Sequence, residues 1–143
     1  MTVRPVVYWT TTILTALSFG SGGFANLLRV EDTVQGVVAL GYPVYFVSII
    51  GGWKVLAGLA ILAPRFPLLK EWAYAGIAFE LTGATLSHVA MGSAAVKAIV
   101  PLVILAIAVA SWALRPSSRK LKASVRHSPS PLIVAHEYAA VRP

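Results

Sequence analysis

Four long apolar segments follow one another along the chain, separated by short stretches that contain proline, glycine or charged residues. They lie at about residues 6–28, 43–63, 71–91 and 95–114. Crossing a hydrocarbon core of ~30 Å takes about 20 helical residues, so each segment has roughly the length of a transmembrane helix. Pro43 opens the second segment and Pro64 ends it, which fits the tolerance of proline at helix boundaries.

The connections between these segments predict the topology. Those at 64–70 and 92–94 are tight and require antiparallel neighbours. The connection at 29–42 is longer than a bundle needs, and Asp32 or Thr33 would cap a short helix there, with Gly41 as its stop. A plain loop is the equal alternative. We therefore predict an all-α fold: a four-transmembrane-helix antiparallel bundle in up-down-up-down order, with a short external interfacial helix.

Composition supports a membrane protein of one domain. Hydrophobic residues make up 57% of the 143 and charged residues only 12%, and the mean hydropathy is +0.77. A soluble domain of this size carries more charge on its surface. The chain has no cysteine, which excludes disulfides, thiol catalysis and cysteine-ligated metal.

The basic residues are distributed unequally between the two sides of the predicted membrane. Nine lie on one side, counting those of the C-terminal tail, and two, Arg29 and Lys97, lie on the other. The positive-inside rule then puts both termini in the cytoplasm of a multi-pass protein of the bacterial inner membrane. The net charge of +7 is explained by this topology, so no nucleic acid partner is expected.

The two ends of the chain carry separate expectations. The tail at 115–143 is predicted to be basic, cytoplasmic and mostly disordered, and to contact anionic lipid headgroups. The first apolar segment has some features of a cleaved signal peptide, including Arg4 and the small residues Gly22 and Gly23. Its length and its threonines favour a retained helix instead.

Lys54 and Glu80 are charged residues in the middle of the second and third apolar segments. A lone charge at the bilayer centre costs about 2.5–3.5 kcal/mol on insertion scales. Lys54 lies 11 residues past Pro43, and Glu80 lies 9 residues past Glu71, in helices that run in opposite directions. Their depths therefore differ by roughly a helical turn or less. The pair is predicted to meet near the midplane.

Small and polar residues share a face on three predicted helices. Small side chains let helices approach closely, so these faces should turn inward. The predicted packing residues are Ser18, Gly22 and Asn26, then Gly51 and Gly58 beside Lys54, and then Gly83 and Ser87 beside Glu80.

Two interpretations of Lys54 and Glu80 stay open. The pair could fix helix register, or it could bind a ligand or pass protons. His88 follows Glu80 by 8 residues and is either a proton relay from the outer face or an ordinary interfacial histidine. The other histidines, His127 and His136, lie in the tail, so no metal or haem is expected.

The order of these motifs resembles the DoxX-like family of small bacterial four-helix integral membrane proteins. The resemblance covers roughly residues 6–114. The motifs that carry it are Gly41-Tyr42-Pro43, Gly52-Trp53-Lys54-Val55-Leu56-Ala57-Gly58, Leu62-Ala63-Pro64, Lys70-Glu71-Trp72-Ala73-Tyr74-Ala75-Gly76, Glu80 and Ser87-His88. Lys54 is similar to the family's second-helix lysine and His88 to its third-helix histidine.

The resemblance implies a redox-associated role, because the wider group is named for a membrane subunit linked to thiosulfate and quinone oxidation. We therefore expect Lys54, Glu80 and His88 to bind a small lipophilic or weakly acidic ligand such as a quinone, without assigning a reaction. The alternatives are a proton-coupled transporter and a purely structural or assembly subunit. A homodimer or a redox partner subunit is an accompanying expectation.

Overall fold

A computed structural model describes residues 3–121, and in that range the chain is entirely helical. The helices are α1 (Val3–Leu27), α2 (Glu31–Val38), α3 (Val44–Leu62), α4 (Pro67–Ala90) and α5 (Ala95–Leu114), followed by a short 3₁₀ turn at Ser117–Arg119. The bounds of α5 coincide with the fourth predicted segment. Helix α4 begins four residues before the predicted third segment, with Pro67 in its first turn, a position that proline favours.

The four long helices pack around a common core. Helix α1 packs against α3 and α5, and α4 packs against the same two helices, so α1 and α4 lie diagonally opposite. Ala16 of α1 approaches Gly58 of α3, and Gly23 approaches Gly51, so these two helices are antiparallel. The core cluster includes Phe19, Ile61, Ile77 and Leu81. Each helix therefore buries one face and leaves the opposite one exposed, as expected in lipid.

The length and hydropathy of the helices support part of the prediction of four spans. Helices α3 and α5 are long and apolar enough to cross a membrane by themselves. Helix α1 reaches that level only together with α2, from which it is bent by 90°. Helix α4, which contains Lys70, Glu71 and Glu80, does not reach that level. Two spans, or three with the bent pair, therefore follow from length and composition alone.

The connection between α1 and α3 contains a helix, α2, rather than a plain loop. Its cap differs from the prediction, because Val30 rather than Asp32 or Thr33 occupies the N-cap position. Thr33 instead donates its hydroxyl to the carbonyl of Val30 at 2.7 Å. Gly41 follows α2 with a φ of +86°, a conformation that glycine adopts without strain, and it turns the chain into α3.

The chain stays packed on the bundle after α5. Arg115 is buried, and the Arg119 guanidinium lies 4.7 Å from the centre of the Trp9 ring in α1. Arg115 and Arg119, which belong to the tail predicted to be mostly disordered, therefore lie against the bundle. The rest of that prediction, for residues 122–143 with His127 and His136, lies outside the described residues.

Candidate functional site

Lys54 and Glu80 form an ion pair between α3 and α4. The Nζ atom of Lys54 lies 3.1 Å from Oε1 of Glu80, and the two side chains keep 24% and 22% of their surface exposed. Both residues lie far from the ends of their helices. The two opposite charges compensate each other, and roughly a quarter of the pair stays open to the surroundings of the bundle.

Gly23 and Gly51 hold α1 against α3 beside this pair. A Cβ atom on Gly23 would come within 2.9 Å of the Lys54 Cβ and of the Gly51 carbonyl oxygen. A Cβ atom on Gly51 would come within 2.9 Å of the Asn26 Cβ. Side chains larger than hydrogen would therefore push the helices apart and displace the backbone that carries Lys54.

The contact face of α1 differs from the predicted stripe. Ser18 is exposed, and nothing lies within 4 Å of a Cβ atom built on Gly22. Asn26 is buried as predicted. Five of the seven buried residues of α1 recur at alternating spacings of four and three, which is the pattern of a helix packed between two neighbours. They are Thr12, Ala16, Phe19, Gly23 and Asn26.

The other predicted packing residues, Gly58, Gly83 and Ser87, lie in three different surroundings. Gly58 is buried, and its Cβ position would lie 3.2 Å from the Ala16 carbonyl oxygen, so it belongs to the contact between α1 and α3. Gly83 is exposed, with open space where a Cβ would be. The Ser87 hydroxyl lies 2.8 Å from the Tyr42 hydroxyl, which joins α4 to the segment before α3.

His88 lies apart from the ion pair. Its Nδ1 atom is 3.2 Å from the Ser93 hydroxyl oxygen, in the turn between α4 and α5. Eight residues separate His88 from Glu80, which is roughly 12 Å along a helix. Among the described residues, no group of three His, Cys, Asp or Glu side chains is placed to hold a metal ion.

A buried hydroxyl network, not anticipated from the sequence, joins three helices. The Ser111 hydroxyl of α5 lies 2.6 Å from that of Thr12 in α1 and 2.7 Å from that of Tyr74 in α4. Thr12 also donates to the Tyr8 carbonyl at 2.7 Å. Ser111 is the only polar residue between Pro101 and Trp112. A single hydroxyl in an apolar helix was the feature of the sequence that could have indicated a buried hydrogen bond.

Two charged groups at the start of α4 are also structural partners. The buried Lys70 donates from Nζ to the carbonyls of Ala60 and Ile61, at 3.1 and 2.7 Å, near the end of α3. Glu71 accepts from Nη2 of Arg115 and from Nε1 of Trp112, both at 2.9 Å. Sequence reasoning assigned Lys70 a role in topology, and Arg115 a role in topology and in contact with anionic lipid headgroups.

Comparison with known proteins identifies a family whose model matches most of the chain. The model of the DoxX-like family matches residues 10–111, a range that includes Lys54, Glu80, His88 and the hydroxyl network. No curated protein and no solved structure matches the chain.

Proposed function

The chain belongs to the DoxX-like family, and on that premise we propose that this membrane protein binds a small lipophilic or weakly acidic ligand at Lys54 and Glu80. A quinone is the ligand type we favour, within a redox-associated system of the bacterial cytoplasmic membrane. The observation that carries the proposal is the partly open ion pair between α3 and α4. Ionisable side chains inside a membrane commonly mark a functional site.

The proposal includes four spans, α1, α3, α4 and α5, with both termini in the cytoplasm. Three of the hydroxyls that lower the hydropathy of α1 are bonded within the helix, since Thr11, Thr12 and Thr15 donate to carbonyls four residues earlier. Such back-bonding supports burial in lipid, because a satisfied hydroxyl costs far less there. The charges of α4 are likewise paired or bonded.

Chemistry at the pair follows from its two groups. The Lys54 ammonium would donate a hydrogen bond to a carbonyl or ionised hydroxyl of the ligand, and Glu80 would hold or exchange a proton beside it. Lys54 and Glu80 do not line the two cavities described in the next subsection. We therefore expect the ligand to approach from the lipid, through the exposed quarter of the pair.

Mass spectrometry of solvent extracts tests this proposal. The full chain would be purified in native lipid as wild type, as Lys54→Met and as Lys97→Met, an exposed lysine at the start of α5. A quinone present in wild type and in Lys97→Met, and lost from Lys54→Met, would support the site. Equal extracts from all three proteins would contradict it.

A structural role is the second candidate, and the close contacts of Gly23 and Gly51 beside Lys54 favour it. If the pair only fixes register, Lys54→Glu and Glu80→Lys should each destabilise the fold, and the double swap should restore it. Proton-coupled transport, the remaining alternative, predicts that Glu80→Gln abolishes uptake while the protein still folds. Unfolding midpoints of the four proteins, together with uptake by Glu80→Gln vesicles, separate these roles.

A further inference from the structure

A second polar site lies where α4 begins and α5 ends, which we call the basic end after Lys70, Arg115, Arg119 and Lys120. Arg115 keeps only 2% of its surface exposed. Its Nη2 atom donates to Glu71 and its Nε atom to the Trp112 carbonyl. Its Nη1 atom is buried without a hydrogen-bond partner among residues 3–121. The guanidinium carbon lies 5.2 and 5.4 Å from the centres of the Tyr74 and Trp112 rings, and an acceptor oxygen would supply the hydrogen bond that Nη1 lacks.

Two cavities lie side by side near Arg115, which lines one of them. One, of about 240 Å³, is lined by Arg115, Lys120 and Leu121 together with Glu71 and Trp112. The other, of about 300 Å³, is a groove between α4 and α5 whose walls include Ala75, Ala78, Leu105 and Val109. Glu71 and Trp112 line both cavities and so form a shared wall between a charged compartment and an apolar one.

The groove runs along the bundle axis. Its lining on α5 extends from Trp112 back to Leu105, roughly 10 Å along the helix and toward the membrane interior. Tryptophan near the end of a span is typical of the headgroup level of a bilayer. A charged compartment at the headgroup level beside an apolar groove, with Glu71 and Trp112 between them, matches the two parts of an amphiphile.

We propose that the basic end binds one anionic phospholipid, with its phosphate against Arg115 and Lys120 and one acyl chain in the groove between α4 and α5. The free Nη1 donors of Arg115 match phosphate oxygens, which guanidinium groups bind well. Both Glu71 oxygens are occupied by Trp112 and Arg115, so the carboxylate serves to hold that guanidinium in place. Of the two bases that line this cavity, Arg115 and Lys120, Glu71 compensates one, and the other is available for the single negative charge of a phosphodiester.

Native mass spectrometry of the full chain, titrated with phosphatidylglycerol or phosphatidylcholine of identical acyl chains, tests the site. One phosphatidylglycerol should bind about tenfold more tightly than phosphatidylcholine. Lys120→Gln should weaken phosphatidylglycerol about fivefold and leave phosphatidylcholine unchanged, because a base near the headgroup acts on the anion. The exposed Lys97, changed to Gln, is the matched control and should have no effect.

Filling the groove tests the acyl chain separately. Ala78→Leu should weaken both lipids severalfold, whereas Ala106→Leu, at an exposed position of α5 outside the groove, should weaken neither. Equal affinity for the two lipids, or equal effects of the two lysine changes, would overturn the headgroup assignment. Displacement of phosphatidylglycerol by inorganic phosphate, with no effect of Ala78→Leu, would overturn the role of the groove and leave a simple phosphate site.

Discussion

Gly23 and Gly22 are neighbours in α1, yet the structure predicts opposite results when each is changed to alanine. A Cβ atom on Gly23 would lie 2.8 Å from Cγ2 of Val55 and 2.9 Å from both the Gly51 carbonyl oxygen and the Lys54 Cβ. Two of these three atoms are backbone or Cβ atoms, which cannot rotate away. Helix α1 must then move off α3, and overpacking of this kind costs about 1–3 kcal/mol.

Gly22→Ala is the matched control, because nothing lies within 4 Å of its Cβ position. Replacing glycine by alanine in a helix interior stabilises it by roughly 0.5–1 kcal/mol. Gly23→Ala gains the same helix propensity, so its net cost should be about 0–2.5 kcal/mol, against a net gain for Gly22→Ala. Unfolding in mixed micelles, followed by circular dichroism, measures the free energy of unfolding of both variants. Equal free energies for the two variants would refute the close contact between α1 and α3.

Two further variants test the polar contacts that sequence reasoning did not find. Ser111→Ala removes the hydroxyl between Thr12 and Tyr74, so it should lower the free energy of unfolding by about 1–3 kcal/mol, while Ser118→Ala at an exposed position should not. Lys70→Met removes both hydrogen bonds to the end of α3 and should destabilise by about 1–3 kcal/mol, compared with little change for Lys97→Met. Denaturant titration measures the free energy of unfolding of both variants. A free energy within about 0.5 kcal/mol of that of the control would show that these hydrogen bonds contribute nothing.

The contact between Lys54 and Glu80 could be predicted because both residues are charged, both interrupt apolar segments, and depth in a helix follows from counting residues. The limits of α5 could also be predicted, since Ala95–Leu114 is apolar except for Lys97 and Ser111. The depth of Lys54 and Glu80 and the limits of α5 depend only on the local order of apolar and polar residues and on the thickness of a membrane.

The contact face of α1 could not be predicted in the same way. Gly22 and Gly23 are both small, and only the position of α3 decides which of them is buried. Arg115 and Glu71 are 44 residues apart in the chain. Charged residues are expected at the ends of a span, so neither residue indicated by itself that it has a hydrogen-bond partner. Their hydrogen bonds arise from how α4 and α5 pack together, which the sequence pattern does not specify.

The most direct test of ligand binding at Lys54 and Glu80 is titration of the full chain in lipid nanodiscs with a short-chain quinone. Trp53, which precedes Lys54 and is 68% exposed, would report binding through quenching of its fluorescence. Saturable quenching is expected in wild type and in Lys97→Met, and Lys54→Met should bind the quinone at least tenfold more weakly. Trp53→Phe should lose the quenching that comes from Trp53. Saturation at the same quinone concentration in wild type and Lys54→Met would contradict a ligand site at this ion pair.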